Sequence, residues 1–337
     1  MKAASLKEEK NLYAPLFVAC QSRDSNLDEF FQHENHNYPP AISEYGKIRK
    51  TNKADFLSCL EEYGQVELNP PQYTAKVIDG AAIVQSLKPS LSKTFGEYAN
   101  EFKGSVLRPL KEESVTRVDV VFDRYFDTSL KGDTRDRRGT SFKVAVKEDT
   151  PIVRDWGKFL KESSNKDQLF TLLAEKITTE RSDSKVVVST NGENVISSVV
   201  VDTSDISPCN HEEADTRIFL HAKNISAAGH QKISVKTVDT DVVVVAIGLF
   251  DQLNVEELWI EFGNGIHLRW FPIHVYAAKL GKKMCQSLLV WFAFTGCDIV
   301  SAFHGRGKKI TWNILKNYPP IHDTFQRFVY FVCLLIT

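Results

Sequence analysis

The sequence predicts an α/β protein, a mainly parallel twisted sheet flanked by helices and carrying β-hairpin insertions. Three observations carry that expectation. Short β-branched runs alternate with helical stretches, the pattern of strand–helix–strand units. Two of these runs, ending at Asp79 and Asp123, close on an acid, as strand ends in open α/β sheets do when they face a ligand crevice. Finally, 42% hydrophobic and 25% charged residues supply enough apolar surface for a core, which argues against disorder throughout.

The elements follow in order. Residues 1–70 form a polar N-terminal extension with aromatic anchors at Phe17, Phe30, Phe31 and Phe56, and Asp55–Leu60 reads as a short helix. Residues 71–318 form the main domain. Lys76–Asp79 is a strand ending in an acid and Gly80, and Val118–Phe122 is a second one ending at Asp123. Residues 151–178 are helical, with Trp156, Phe159, Leu160, Leu169, Phe170, Leu172 and Leu173 at three- and four-residue spacings. Residues 185–202 read as a hairpin in which Val186–Val188 and Val199–Val201 flank a turn at Asn191-Gly192.

His211–Lys223 is a helix, Ile233–Val238 a strand, and the unbroken run Val242–Ile247 an expected strand buried on both faces. Leu258–Phe262 and His267–Phe271 form another hairpin, and residues 275–295 are helical up to Gly296. The tail 319–337 ends on the apolar run Phe328–Ile336. That run is too short to span a bilayer, so it reads either as a last core helix or as a chain cut short.

Charge and cysteines exclude several classes. Lys plus Arg number 42 against 43 Asp plus Glu, so an evenly basic coat protein is out, while a local basic surface is not. The six cysteines form no CxxC pair, which fits a reducing compartment rather than a zinc ribbon or disulfide framework. The first residues lack an apolar h-region, so no secretory signal is expected. HExxH, GxSxG and GxGxxG are all absent.

The chemistry is expected at the acids. Asp79, Asp123 and the pair Asp239 and Asp241 follow strands. Glu213 and Asp215 open a helix, and Asp298 follows one. Brought to one crevice, these carboxylates would repel and raise one another's pKa, and hard divalent cations relieve that. Each acid has a local alternative: a capping box at Asn210 and Glu213, a turn at Asp79-Gly80, a solvated loop at Asp239 and Asp241, and a cap at Asp298.

Their order resembles the PIN-like nuclease domain of the flap endonuclease and XPG superfamily. Val77-Ile78-Asp79-Gly80 resembles its first strand and first metal-site acid. Val121-Phe122-Asp123 resembles its "VFDG" strand, with Arg124 in place of glycine. Glu212-Glu213-Ala214-Asp215 is similar to the "EAE/EAD" helix start, Thr237 to Asp241 to "TxDxD", and Thr295-Gly296-Cys297-Asp298 to "xGCDY". Gly305-Arg306-Gly307-Lys308-Lys309 resembles the "GxGxK" opening of a hairpin-like DNA-binding element at about 301–318. The whole chain is similar to animal members of this superfamily associated with mobile elements.

The resemblance implies a structure-selective nuclease that uses two Mg²⁺ or Mn²⁺ ions held by Asp79, Asp123, Glu213, Asp215, Asp239, Asp241 and Asp298. Two such ions about 4 Å apart clamp the attacking and leaving oxygens of a phosphodiester. It implies phosphate contacts from Lys131, Arg135, Arg137 and Arg138, read as a basic gateway, and from Gly305, Gly307, Lys308 and Lys309. The partner would be nucleic acid, DNA ahead of RNA, with no membrane. The alternative is an inactive scaffold of the same fold that binds nucleic acid or protein. Lys47, Arg49, Lys50 and Lys53 match a weak nuclear-import patch, so the nucleus is the expected location and the cytoplasm the alternative.

Overall fold

The computed structural model describes Val18 and residues 38–125, 142–179, 182 and 184–336. In chain order the elements are β1 (Ser43–Glu44), β2 (Lys47–Ile48), α1 (Asp55–Leu60), β3 (Ala75–Asp79), α2 (Gly80–Ser86), α3 (Phe95–Val106), β4 (Arg117–Val121), α4 (Trp156–Phe159) and α5 (Ser163–Thr178). Then come β5 (Val186–Asn191), β6 (Asn194–Ser197), α6 (Ala214–Ala227), β7 (Lys232–Thr237), α7 (Thr240–Leu253), β8 (Glu257–Phe262), β9 (Arg269–Pro272), α8 (Ile273–Leu280), α9 (Lys282–Phe294), α10 (Lys308–Asn317) and α11 (Pro320–Ile336).

Residues cluster into two units, Met1–Phe56 with Trp291–Pro319, and Leu57–Val290 with Pro320–Thr337. The larger one is α/β. Its seven-stranded sheet has the order β6-β5-β4-β3-β7-β8-β9. The inner five strands are parallel, and β6 and β9 are antiparallel edges. Every residue of β3 and β4 is buried, as befits central strands covered on both faces. Alternate side chains sort onto two faces. Ile78, Val118, Val120 and Val187 join Phe95, Phe102, Phe159, Leu169 and Leu173 of α3, α4 and α5 in one core. Asp119 of β4 bonds His221 of α6, which puts α6 on the opposite face.

The strand order has a functional corollary. The chain runs from β3 to β4 and β5 on one side, then returns to β7 on the other side of β3. Where connections leave in opposite directions, a crevice opens beyond the carboxyl ends of the two strands. Asp79 ends β3, and Asp239 follows β7 by two residues. Gly80 is required there, because a Cβ on it would run into the Phe122 ring beside Asp123.

Three expectations need correction. Val242–Ile247 is helical, inside α7. Asp239 caps that helix by accepting from the Asp241 N–H at 2.9 Å, and Val242, Val243, Val244, Ala246 and Ile247 are all buried. Burial of all but Val245, which is partly exposed, produces the same unbroken apolar run as a central strand, and β-branching costs a helix only about half a kcal/mol per residue. The stretch 275–295 is two helices, broken at Gly281 with φ 76°. The hairpin turns at Gly192-Glu193, one residue later than expected, because Asn191 pairs with Asn194, and its second strand is Asn194–Ser197; Val199–Val201 lies beyond it, with Val200 fully exposed.

In the smaller unit Phe56, Trp291 and Trp312 form an aromatic core, with ring centroids 5.2 to 5.5 Å apart. Lys308, at the start of α10, is fully buried within it.

Candidate metal centre

Five carboxylates of the larger unit converge at the crevice. Asp123 lies two residues past the end of β4. Its Oδ1 accepts from the Ala214 N–H at 2.9 Å, fixing the start of α6 against this strand end, and the Tyr125 hydroxyl donates to its Oδ2 at 3.3 Å. Asp215 sits in the first turn of α6, where an acid also meets the favourable end of the helix dipole. Asp215, Asp239 and Asp241 each present a carboxylate oxygen within 4.8 Å of the other two. Asp79 accepts from the Ala82 N–H at 3.0 Å and so caps α2.

Electrostatics join these acids. Burial, then the charges of Asp123 and Asp239, push the Asp79 carboxyl up to about 7. Burial, then Asp239, Asp79, Glu213 and Asp123, push Asp215 up to about 8. Among the described residues no Lys, Arg or His forms an ion pair with Asp79, Asp123, Asp215 or Asp239. A desolvated group of carboxylates without such a partner is unfavourable unless protons or a cation neutralise it.

Glu213 is the N-cap residue of α6, yet its side chain makes no capping bond, so the capping-box alternative does not apply. It lies near enough to raise Asp215. Asp298 belongs to the smaller unit, where Lys53 pairs with it at 2.8 Å. Lys131, Arg135, Arg137 and Arg138 lie outside the described residues. Gly305, Gly307 and Lys309 are exposed in the smaller unit. Lys308 does not fit the phosphate role expected of it: its buried ammonium donates to the Phe292 carbonyl and, at 2.9 Å, to Thr295 Oγ1.

Two residues absent from the expected set shape the centre. The Thr237 hydroxyl accepts from the Asp239 N–H at 3.1 Å and donates to Asp79 Oδ2 at 3.4 Å, tying two acids on adjacent strands. Its signal was a hydroxyl two residues before Asp239. Arg124 is turned aside: it donates to the Cys209 carbonyl at 2.7 Å and lies 3.5 Å from Glu193. With buried Arg217, which donates to the carbonyls of Gly192, Glu193 and Asn194, it anchors the β5–β6 turn.

Below the acids, β4 and α6 share a buried polar network. Arg117 grips Asp119 with two bonds of 2.7 and 2.9 Å and also bonds Asn224 at 2.8 Å, while His221 Nδ1 meets Asp119 at 2.7 Å. Burial alone would raise the Asp119 pKa, but the guanidinium and the imidazole hold it below the usual carboxylate range.

No family model matches the chain, and no curated protein matches it. Among the described residues no helix is long and apolar enough to cross a membrane.

Proposed function

We propose that the chain is a metal-dependent nuclease that hydrolyses phosphodiester bonds in nucleic acid, DNA ahead of RNA, with a preference for particular strand structures. The observation that carries this reading is the convergence of Asp79, Asp123, Asp215, Asp239 and Asp241 at the switch point of a parallel sheet, with two of them pushed into the neutral pH range. The donor set fits Mg²⁺ or Mn²⁺, being all carboxylate oxygen, closely spaced and anionic.

Asp215, Asp239 and Asp241 would hold one ion; Asp79 and Asp123, with Glu213 nearby, would hold a second. Such ions supply an activated water and charge stabilisation at the leaving oxygen. The protein's own contribution is placement. The Ala214 N–H orients Asp123, the Thr237 hydroxyl orients Asp79, and the Asp241 N–H fixes Asp239. Asp79 and Asp215 release their protons only near neutrality, so ion binding would be coupled to proton release there. A nuclear location accompanies this reading.

The test is incubation of the protein with labelled flap, nicked and single-stranded substrates in Mg²⁺, Mn²⁺ or EDTA. Cleavage that requires the metal and is lost in Asp215→Asn is the expected result. Absence of cleavage on every substrate in both metals would overturn the reading.

A further inference from the structure

Two segments of the smaller unit have a charge character that the whole chain hides. Residues 38–56 and 291–319 carry eight Lys and Arg against three acids, in a chain of net charge −1, whereas residues 1–37 of the same unit carry four against six. Two basic segments far apart in sequence are stitched together there. The Ala302 N–H donates to the Arg49 carbonyl at 2.9 Å and the His304 N–H to the Ala41 carbonyl at 2.7 Å. The Arg49 N–H donates to Ser301 Oγ at 2.8 Å, and that hydroxyl donates to the Ile42 carbonyl. These bonds pin the base of the β1–β2 hairpin to the 301–304 loop, which leads directly to Arg306 and Lys309. Lys47, Lys50, Arg306 and Lys309 are exposed and form no ion pair among the described residues.

The hairpin tip supplies a second, independent observation. Glu44 pairs with Lys47, so the turn is Tyr45-Gly46, with φ 51° and 73°. A two-residue turn with both residues at positive φ favours Asn, Asp or Gly at its first position. An aromatic residue there is strained, and Tyr45 as a whole is 63% exposed, so packing does not explain it. Tyr38 is also exposed, with its ring against Gly46.

We propose that the Tyr45 hairpin, the loop 305–307 and the start of α10 form a binding face for single-stranded nucleic acid, in which Lys47, Lys50, Arg306 and Lys309 meet phosphates and Tyr45 stacks on an unpaired base. A basic groove with an aromatic platform is the combination that holds a single strand. The proposal rests on the nuclease reading only for its choice of polyanion, and it stands or falls without catalysis.

The experiment is fluorescence anisotropy of a labelled single-stranded oligonucleotide with the full chain in EDTA, over a salt series. Tyr45→Asn suits the positive φ, so the fold is retained, and it should weaken binding on the order of ten-fold. Lys47→Ala with Lys50→Ala should flatten the slope of log affinity against log salt by about 1.4, two phosphate contacts at roughly 0.7 each. A strand lacking bases, or a blunt duplex, should bind more weakly than the single strand. No binding in EDTA, unchanged affinity and slope in these variants, or equal binding of duplex and baseless strands would overturn the proposal. Binding without cleavage in any metal would instead sink the nuclease reading and leave this face standing.

Discussion

The carboxylate of Asp123 holds the backbone N–H of Ala214, 91 residues further along the chain, at 2.9 Å. That bond closes the distance between the end of β4 and the start of α6, and it sets Asp215 among the acids of the strand ends. Geometry and charge at the centre are therefore linked, and each can be tested.

Acidity comes first. Asp215 ionises at about 8 in the folded chain against 3.8 when unperturbed, and Asp79 at about 7. Below the unperturbed value both states hold the protons. Between there and the folded values, the unfolded chain releases protons that the folded chain keeps, so stability falls as pH rises and levels off above the folded values. Relative to Asp215→Asn, the metal-free wild type should therefore lose melting temperature from acid pH up to about pH 8. Buried Asp119 and Glu261, held below the usual carboxylate range, act in the opposite sense in both proteins, so the test is the difference between the two profiles, and a difference that stays constant over this range would refute the assignment.

Asp241→Ala should abolish cleavage, because one of the three carboxylates whose oxygens lie within 4.8 Å of one another is gone. Losing one electrostatic contact at a transition state costs on the order of 3 kcal/mol. Mg²⁺ should raise the melting temperature of the wild type more than that of the variant, since only a bound ligand shifts the folding equilibrium. Equal shifts, or undiminished cleavage, would remove Asp241 from the centre.

Gly80→Ala should be among the most damaging single-methyl changes in the chain. The new Cβ meets the Phe122 ring, which packs on Phe170 at 4.6 Å between ring centroids. Overpacking of this kind costs about 1–3 kcal/mol. Because Phe122 precedes Asp123, Mg²⁺ affinity should fall as well. Urea unfolding and metal titration of the variant check the two effects, and a variant with wild-type values in both would show that the ring yields freely.

Lys308→Ala should lower the urea midpoint, by on the order of 3 kcal/mol of stability, since a charged donor to the Phe292 carbonyl and Thr295 is lost from a buried position. The salt slope of nucleic-acid binding should stay as in the wild type. A flatter slope with an unchanged urea midpoint would restore Lys308 to the phosphate role.

What the sequence disclosed was set by local pattern. Asp79 and Asp123 were legible because a buried β-branched run closing on an acid is a strand signal and a chemical one together. Val242–Ile247 misled because helix and strand write the same unbroken apolar run when almost every residue is buried. The break at Gly281 was hidden because apolar residues continue on both sides of it. Arg124 looked like a misplaced charge beside the acids, and only long-range contacts show it turned to Cys209 and Glu193. Lys308 looked like a surface cation because it follows two glycines in a basic stretch. Its burial depends on Trp291 and Phe292, sixteen residues or more upstream, which no local window contains.

The antiparallel margins of the sheet bear on how the protein can associate. On the β9 side, Trp270 exchanges both of its main-chain hydrogen bonds with Glu67, at 2.9 and 3.0 Å. On the β6 side, the Val195 N–H is taken by Ser207 Oγ, and the Glu193 carbonyl accepts from the Cys209 N–H. Borders whose polar groups are already spent offer poor templates for an incoming strand. Self-assembly by strand addition, the route to fibrils and to sheet-extended dimers, is thus disfavoured at both flanks. Complexes of this chain should instead form through its loops and helices.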